Sequence, residues 1–318
     1  MNRVGDLTSR QRIERRQRVG RSLADQHAGV ARRADLLAEG LTDHDVRAEI
    51  TRGVWRKAGA HTICVDGPEP SGTGLLWRAL WESGPRAVLD GPSALIAAGL
   101  QHWTQDVVHL SVPHNATVRE LPGVVHHRSR GIGPIVSTGL RRTKPQVAVI
   151  RAAEWAVSDR AAATLVAMTV QQRLVAPAQV MERWSQTARS RRRQLLDAVI
   201  RDVCDGAHSI NELDIATACR ARGLPPPTSQ AVRTGSRGRV YLDLFWDDYL
   251  VHVEIQGAHH LQGLKGVEDA LRTNDVAIAD HDVTSLQVPI LGWRLRPTDF
   301  LGQIEAALVG RGWRRASA

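Results

Sequence analysis

Long apolar runs are missing from this chain of 318 residues, and none approaches the ~20 residues that a membrane-spanning helix needs. The opening stretch, MNRVGDLTSRQRIERRQRVGRS, is charged throughout and lacks the apolar centre of a secretory signal. Cysteine is scarce. Cys64, Cys204 and Cys219 are odd in number, far apart and outside metal-ligand spacing, so a reduced cytosol is the simplest expectation. Lysine is equally scarce: Lys57, Lys144 and Lys265 are the only three among 42 Lys and Arg residues. Aromatic residues make up 4% of the chain, and no platform for stacking unpaired bases stands out, which favours DNA over RNA as a partner.

What is present is a soluble globular composition, 42% hydrophobic and 24% charged, with a length that fits two or three domains. The formal net charge of +9 favours a polyanionic partner, because cations placed at phosphates release condensed counterions. The arginine skew is also what a GC-rich genome would produce.

Residues 1–22 read as a basic tail or frayed helix, with too few apolar positions to pack. Residues 23–66 read as a winged helix-turn-helix. Val30, Ala34 and Leu37 mark a helix face that Gly40 closes. Thr42 or Asp43 caps a second helix carrying Val46 and Ile50, which Gly53 ends. Val54 to Val65 alternates as a hairpin turning near Gly59. Helix, turn, helix and hairpin is the winged-helix order. Arg47 and Arg52 on the second helix, with Arg56 and Lys57 on the wing, are its candidate DNA contacts; solubilising charge on a protein-binding domain is the competing reading.

A break rich in Gly and Pro at residues 67–74 opens a mixed α/β middle region, 67–140. Helices are expected around Leu75–Glu82 and Pro92–Leu100, and strands at Val107–Val112 and Gly123–Arg128. Adjacent His126 and His127 would then point to opposite faces and not share a metal. Residues 141–204 read as a helical connector, with Pro177 restarting a helix. The run Arg189, Arg191, Arg192 and Arg193 reads as a solvated face, with a phosphate patch as the alternative.

Residues 205–318 carry the chemistry. A helix near Ser209–Arg222, a Pro-rich loop, two strands, a helix, a strand and a last helix near Pro297–Gly310 form an α/β pattern. Strands Val240–Trp246 and Tyr249–Gln256 flank a two-residue turn at Asp247-Asp248. That register sets Asp243 opposite His252, with Glu254 as its diagonal neighbour. Tyr241, Asp243, His252, Glu254 and Gln256 then share one face, while Leu242, Leu244, Val251, Val253 and Ile255 share the other. Two close carboxylates repel unless a hard divalent cation lies between them, so Asp243 and Glu254 are candidate ligands for Mg²⁺ or Mn²⁺. Such an ion polarises a phosphodiester and lowers the pKa of an attacking water. An antiparallel pair with one solvated face is the plainer alternative.

Ser209 to Glu212 fits a capping box, so Glu212 either caps its own helix or extends the acidic site. His259 or His260, after Gly257, could supply a general acid or base. Asp269, Arg272, Asn274 and Asp275 lie on the next helix, where Asp269 with Arg272 fits a simple ion pair.

At these residues the chain resembles a known family. Glu212, the R-x-Y-L-D of Arg239–Asp243, the V-E-I-x-G of Val253–Gly257 followed by His259, and the D-x-x-R-x-N of Asp269–Asn274 look like a domain family related to very-short-patch-repair endonucleases, within the PD-(D/E)XK fold. The resemblance covers roughly residues 205–312. It implies Mg²⁺-dependent hydrolysis of DNA, with Asp243 and Glu254 as metal ligands, Glu212 as a supporting acid, and Gln256, His259, Arg272 and Asn274 in the site or at the DNA. The upstream half is similar, in its order of elements, to abortive-infection type IV antitoxin-like winged-helix proteins. One position departs from the pattern: Gln256 stands where the fold has Lys and the nearer family has Asp, and an amide can orient water but cannot ionise. The leading expectation is therefore a cytoplasmic DNA-binding endonuclease-like protein. An antitoxin-like regulator with a weakened nuclease fold is the alternative, an interaction protein the third reading, and homodimer formation is left open.

Overall fold

Thr8 accepts a hydrogen bond from the Gln11 amide and starts a first helix, α1, over Ser9–Gln26. The computed structural model describes residues 8–205, 215–234, 240–256 and 284–315, with 267, 270, 271, 273, 274 and 278; for 205, 216, 229–234, 240–243, 256 and 290 it is the backbone that is described. Glu212, His259, Asp269 and Arg272 lie outside the described residues. Contacts divide the chain into two units, Met1–Lys144 and Pro145–Ala318. Helices mix with three sheets, an α/β architecture. Among the described residues no helix is long and apolar enough to cross a membrane.

The helix α1 corrects the expectation of a basic tail. It packs through Val19 and Leu23, half-buried against the core, through small residues and through a buried ion pair. Gly20 and Ala24 are buried, and Gly20 lies against the indole of Trp55. The Arg16 guanidinium, 11% exposed, pairs with Asp45 at 3.2 Å and with Glu49 at 2.9 Å. Strand β1 (Val30–Arg32), helix α2 (Arg33–Ala38), helix α3 (Asp43–Thr51) and strands β2 (Arg56–Lys57) and β3 (Thr62–Cys64) follow, the strands in the order β1-β3-β2. Val30 therefore sits in a strand. Leu36 is fully buried while Leu37 is exposed, so the first helix is shorter and turned relative to the expected face. Thr42 caps α3 reciprocally with Asp45, as expected, and Gly40 and Gly53 take the left-handed backbone that closes each helix. Leu36, Leu41, Val46, Trp55 and Ile63 form the core of this part.

The break at residues 67–74 does not separate two domains. Helix α4 (Thr73–Ser83) bonds directly to the hairpin: Glu82 accepts hydrogen bonds from the Ala60 amide (2.8 Å), the His61 amide (2.8 Å) and the Thr62 hydroxyl (2.7 Å). Arg78 donates to the Ala58 carbonyl at 2.7 Å. Burial pushes the Glu82 carboxyl up, but those donors outweigh it and hold the group below its ordinary range. Strands β4 (Val88–Leu89), β5 (Val108–Pro113), β6 (Val124–Ser129), β7 (Ile135–Val136) and β8 (Arg142–Thr143) form a sheet ordered β6-β5-β4-β8-β7 beside helix α5 (Gly91–Ala97). Asp90 fastens it, accepting from the Gly91 amide and from the Ser111 and Thr143 hydroxyls. His126 meets Ser83 and His127 meets His109, on opposite faces as the strand period requires.

In the second unit helices α6 (Pro145–Trp155), α7 (Asp159–Gln171), α8 (Pro177–Ser185) and α9 (Arg193–Asp205) precede α10 (Ile215–Ala221). Strands β9 (Ser229–Thr234), β10 (Val240–Trp246), β11 (Val251–Gln256) and β12 (Thr284–Pro289) form a sheet ordered β12-β11-β10-β9, and helices α11 (Ile290–Leu295) and α12 (Pro297–Gly310) end the chain. The first three strands run antiparallel, and β12 runs parallel to β11. A parallel return needs a crossover, and Ala270, Leu271, Thr273 and Asn274 lie in helical turns within it. The expected connector is no free linker: α9 packs against α7, α8 and α11. Leu244, Val251, Val253, Ile255, Leu286 and Val288 bury one sheet face, with α12 packed on β11 and β12. Each such side chain contributes about 1.5–3 kcal/mol through burial.

Candidate active site

Strand alternation puts the even positions of β10 and the odd positions of β11 on the covered face and leaves the odd positions of β10, Phe245 among them, and the even positions of β11 on the other. The face assignment from sequence holds; the register does not. The connection is a turn of four residues, with Asp247–Tyr249 in a 3-10 turn and Leu250 in the left-handed region at φ 50°. Trp246 pairs with Val251, so each strand position moves by two and keeps its face. The reason lies in Trp246, which is buried with its indole N–H donating to the Pro225 carbonyl at 2.9 Å. That anchor holds the end of β10 and leaves the more polar Asp247-Asp248-Tyr249 to turn.

Asp243 therefore lies directly opposite Glu254, a closer relation than the expected diagonal. Directly opposed positions bring Cβ atoms to about 4.5–5.5 Å. The row continues to Ala231 on β9 and Gln287 on β12. One row away, Phe245 lies opposite His252, and their rings stack at 4.3 Å between centroids. His252 Nδ1 lies 3.1 Å from the Ser285 hydroxyl. On the other side of the acids, Tyr241 pairs with Gln256 and with Arg233. Glu254 and His252 are half-buried, and Gln287 and Ser285 are exposed, so this face opens to solvent on its β12 side.

The donor set suits a hard divalent cation. Two carboxylates at opposed positions repel, and the described side chains beside Glu254 on this face, His252 and Gln287, include no Lys or Arg to offset them. Among the described residues no group of three His, Cys, Asp or Glu side chains gathers, so the pair would need water, substrate or a further residue to complete a coordination shell.

Asn274 corrects the expectation of a DNA contact. Its side chain is fully buried. Its amide donates to the Gln287 carbonyl (2.8 Å) and to Gln303 Oε1 (3.0 Å), and its oxygen accepts from the Gln287 amide (2.8 Å). Since β12 is an edge strand, Asn274 acts there as a substitute strand and fixes the segment beside Glu254. Gln287, Ser285 and Arg233 were not singled out from the sequence. The alternation of Thr284–Pro289 could have placed the first two on the polar face, but only the pairing shows which row they join.

In the first unit Arg47, Arg56 and Lys57 are exposed as expected. Arg52 is not free: its Nη1 donates to both Glu49 oxygens, at 3.0 and 3.1 Å, and the Glu49 side chain is fully buried. A phosphate would have to compete with that pair. Arg56 and Lys57 border a cleft of about 740 Å³ that Arg78 also lines.

Comparison with known proteins finds no family model and no curated sequence that matches this chain.

Proposed function

We propose that this chain is a DNA-binding protein whose second unit carries a metal-dependent endonuclease-like site of the PD-(D/E)XK kind, similar to very-short-patch-repair endonucleases. The observation that carries the reading is the direct pairing of Asp243 with Glu254 on one face of a sheet whose other face buries Leu244, Val253, Ile255, Leu286 and Val288. Asp243 and Glu254 would hold Mg²⁺ or Mn²⁺, which when bound supplies polarisation of the phosphodiester and a lowered pKa for the attacking water. Gln256 stands in the adjoining row, and an amide there would not take the proton of that water. His252, fixed between Phe245 and Ser285, is the described histidine on that face beside the acid pair. In the first unit, the order helix, strand, two helices and hairpin supports a winged helix-turn-helix, with Arg47, Arg56 and Lys57 toward the duplex.

A second reading has a specific observation in its favour. Gln256 takes the place of an ionisable residue, so an antitoxin-like regulator that keeps the fold and loses the cutting fits the same geometry. Supercoiled plasmid separates the two. The nuclease reading predicts nicking with Mg²⁺ or Mn²⁺, loss of nicking in Asp243→Ala and Glu254→Ala, and a gain in Gln256→Asp. Equal traces from wild type and Glu254→Ala would remove the enzyme and leave the regulator, which then predicts salt-sensitive duplex binding weakened by Arg47→Ala.

A further inference from the structure

The arginine run at residues 189–193 divides into two kinds of residue once folded. Arg192 is structural: it donates to the carbonyls of Ala153 (3.2 Å), Glu154 (2.8 Å) and Ala156 (2.8 Å), closing α6, and pairs with Asp159 at 2.9 Å. Arg191 and Arg193 are exposed on either side of it. Together with Arg296, at the corner between α11 and α12, these three arginines line one cleft of about 440 Å³. Asp159 is the acid in that lining, and its charge is taken by Arg192.

We propose that this cleft is a second nucleic-acid contact, a cradle for the phosphodiester backbone of duplex DNA; it rests on the DNA-binding reading above and extends it to residues other than the acid pair. With Arg192 and Asp159 paired, the guanidinium groups of Arg191, Arg193 and Arg296 remain around one small cleft to attract an anion, and the planar fork matches phosphate oxygens in a bidentate way. The pairs that compete are weak. Arg193 with Asp197 (3.2 Å) and Arg296 with Asp299 (2.6 Å) are both largely exposed, a class worth about 0–1 kcal/mol, so a phosphate can take their place. Arg193 is held in position by stacking on Trp184, its guanidinium carbon 4.5 Å from the ring centre. The first turn of α9 contains no acidic residue, so its amide ends add to the positive potential. A duplex is the partner that fits best, since an arginine-dominated surplus of +9 over the whole chain suits an extended polyanion better than one small phosphate.

The test is duplex binding by the full-length protein across a salt series, with Arg191→Ala/Arg296→Ala beside wild type. An arginine withdrawn from a phosphate lowers the slope of log affinity against log salt by about one, so the double variant is expected to show a slope smaller by about two, with no change in sequence preference. Arg201→Ala, an exposed arginine elsewhere on α9, serves as a single-charge control and is expected to keep the wild-type slope. A double variant with the wild-type slope overturns the cradle and leaves the acid-pair reading standing. An equal decrease in Arg201→Ala, or competition by poly-glutamate as effective as that by duplex, also overturns it. No binding of DNA by wild type overturns both readings together.

Discussion

Asp243 and Glu254 are direct partners in the antiparallel pairing of β10 with β11, so two carboxylate residues sit across from one another on the open sheet face. Like charges so placed destabilise a strand pair by a few tenths of a kcal/mol, up to about 1 kcal/mol. Without metal, Glu254→Gln is therefore expected to be slightly more stable than wild type. With Mg²⁺ the order reverses, because wild type alone gains by binding. Thermal unfolding with and without Mg²⁺ checks both signs, and identical shifts in the two proteins would deny the pair its role as ligands.

Asn274 supports that sheet at its β12 edge. Asn274→Ala leaves the Gln287 amide and carbonyl and the Gln303 oxygen without their shared partner, at a cost of about 2–4 kcal/mol. Asn274→Asp keeps the acceptor and loses both donor bonds, adding a buried charge, so it is expected to be no better than Ala. Chemical denaturation gives the values. A loss under 1 kcal/mol for both would show that β12 is held in some other way.

Gly20 is the contact on which α1 docks. A Cβ there would overlap the Trp55 indole, coming to 3.0 Å from Cε2, and Trp55 is buried in the core. Alanine at a helix interior gains about 1 kcal/mol over glycine, whereas overpacking a core costs about 1–3 kcal/mol. Gly20→Ala is thus expected to be destabilising on balance, by about 1 kcal/mol, as read by unfolding of the full chain. A stabilised Gly20→Ala would mean that Trp55 moves aside freely.

Asp202 gives the protein a pH dependence of its own. Burial pushes its carboxyl up to about 7, against the opposing pull of the Arg294 guanidinium. Its unfolded value is about 3.9. Between those values the folded state holds the proton that the unfolded state has released, so this group's contribution is greatest below about pH 4 and declines as pH rises to about 7. Each unit of that window corresponds to about 1.4 kcal/mol. Asp202→Asn is expected to remove the decline, as measured by denaturation at pH 5 and pH 8. The same slope in both proteins would assign it elsewhere.

The sequence made the face of each acid legible, because a shift of two residues preserves strand parity, but not their partner across the pair. The turn depended on burial of Trp246 and its bond to Pro225, a long-range contact that local turn preferences do not contain. The helical region of α1 was hidden for a related reason. Its packing adds Gly20, Ala24 and the buried Arg16 to only two large apolar residues, Val19 and Leu23, too few for a broad apolar stripe. Asn274 carried a motif resemblance that pointed outward, while its position opposite an edge strand turned it inward. A cap at Thr42 or Asp43, and the first-turn prolines Pro177 and Pro297, were legible at once, since capping and first-turn proline are decided within a few residues.

A crystal soaked in Mn²⁺ tests the central claim most directly. The account predicts an anomalous peak between Asp243 and Glu254, within about 2.0–2.3 Å of a carboxylate oxygen from each, and its loss in Glu254→Ala. Soaked crystals with Mn²⁺ at other acidic sites and none between these two residues would contradict it.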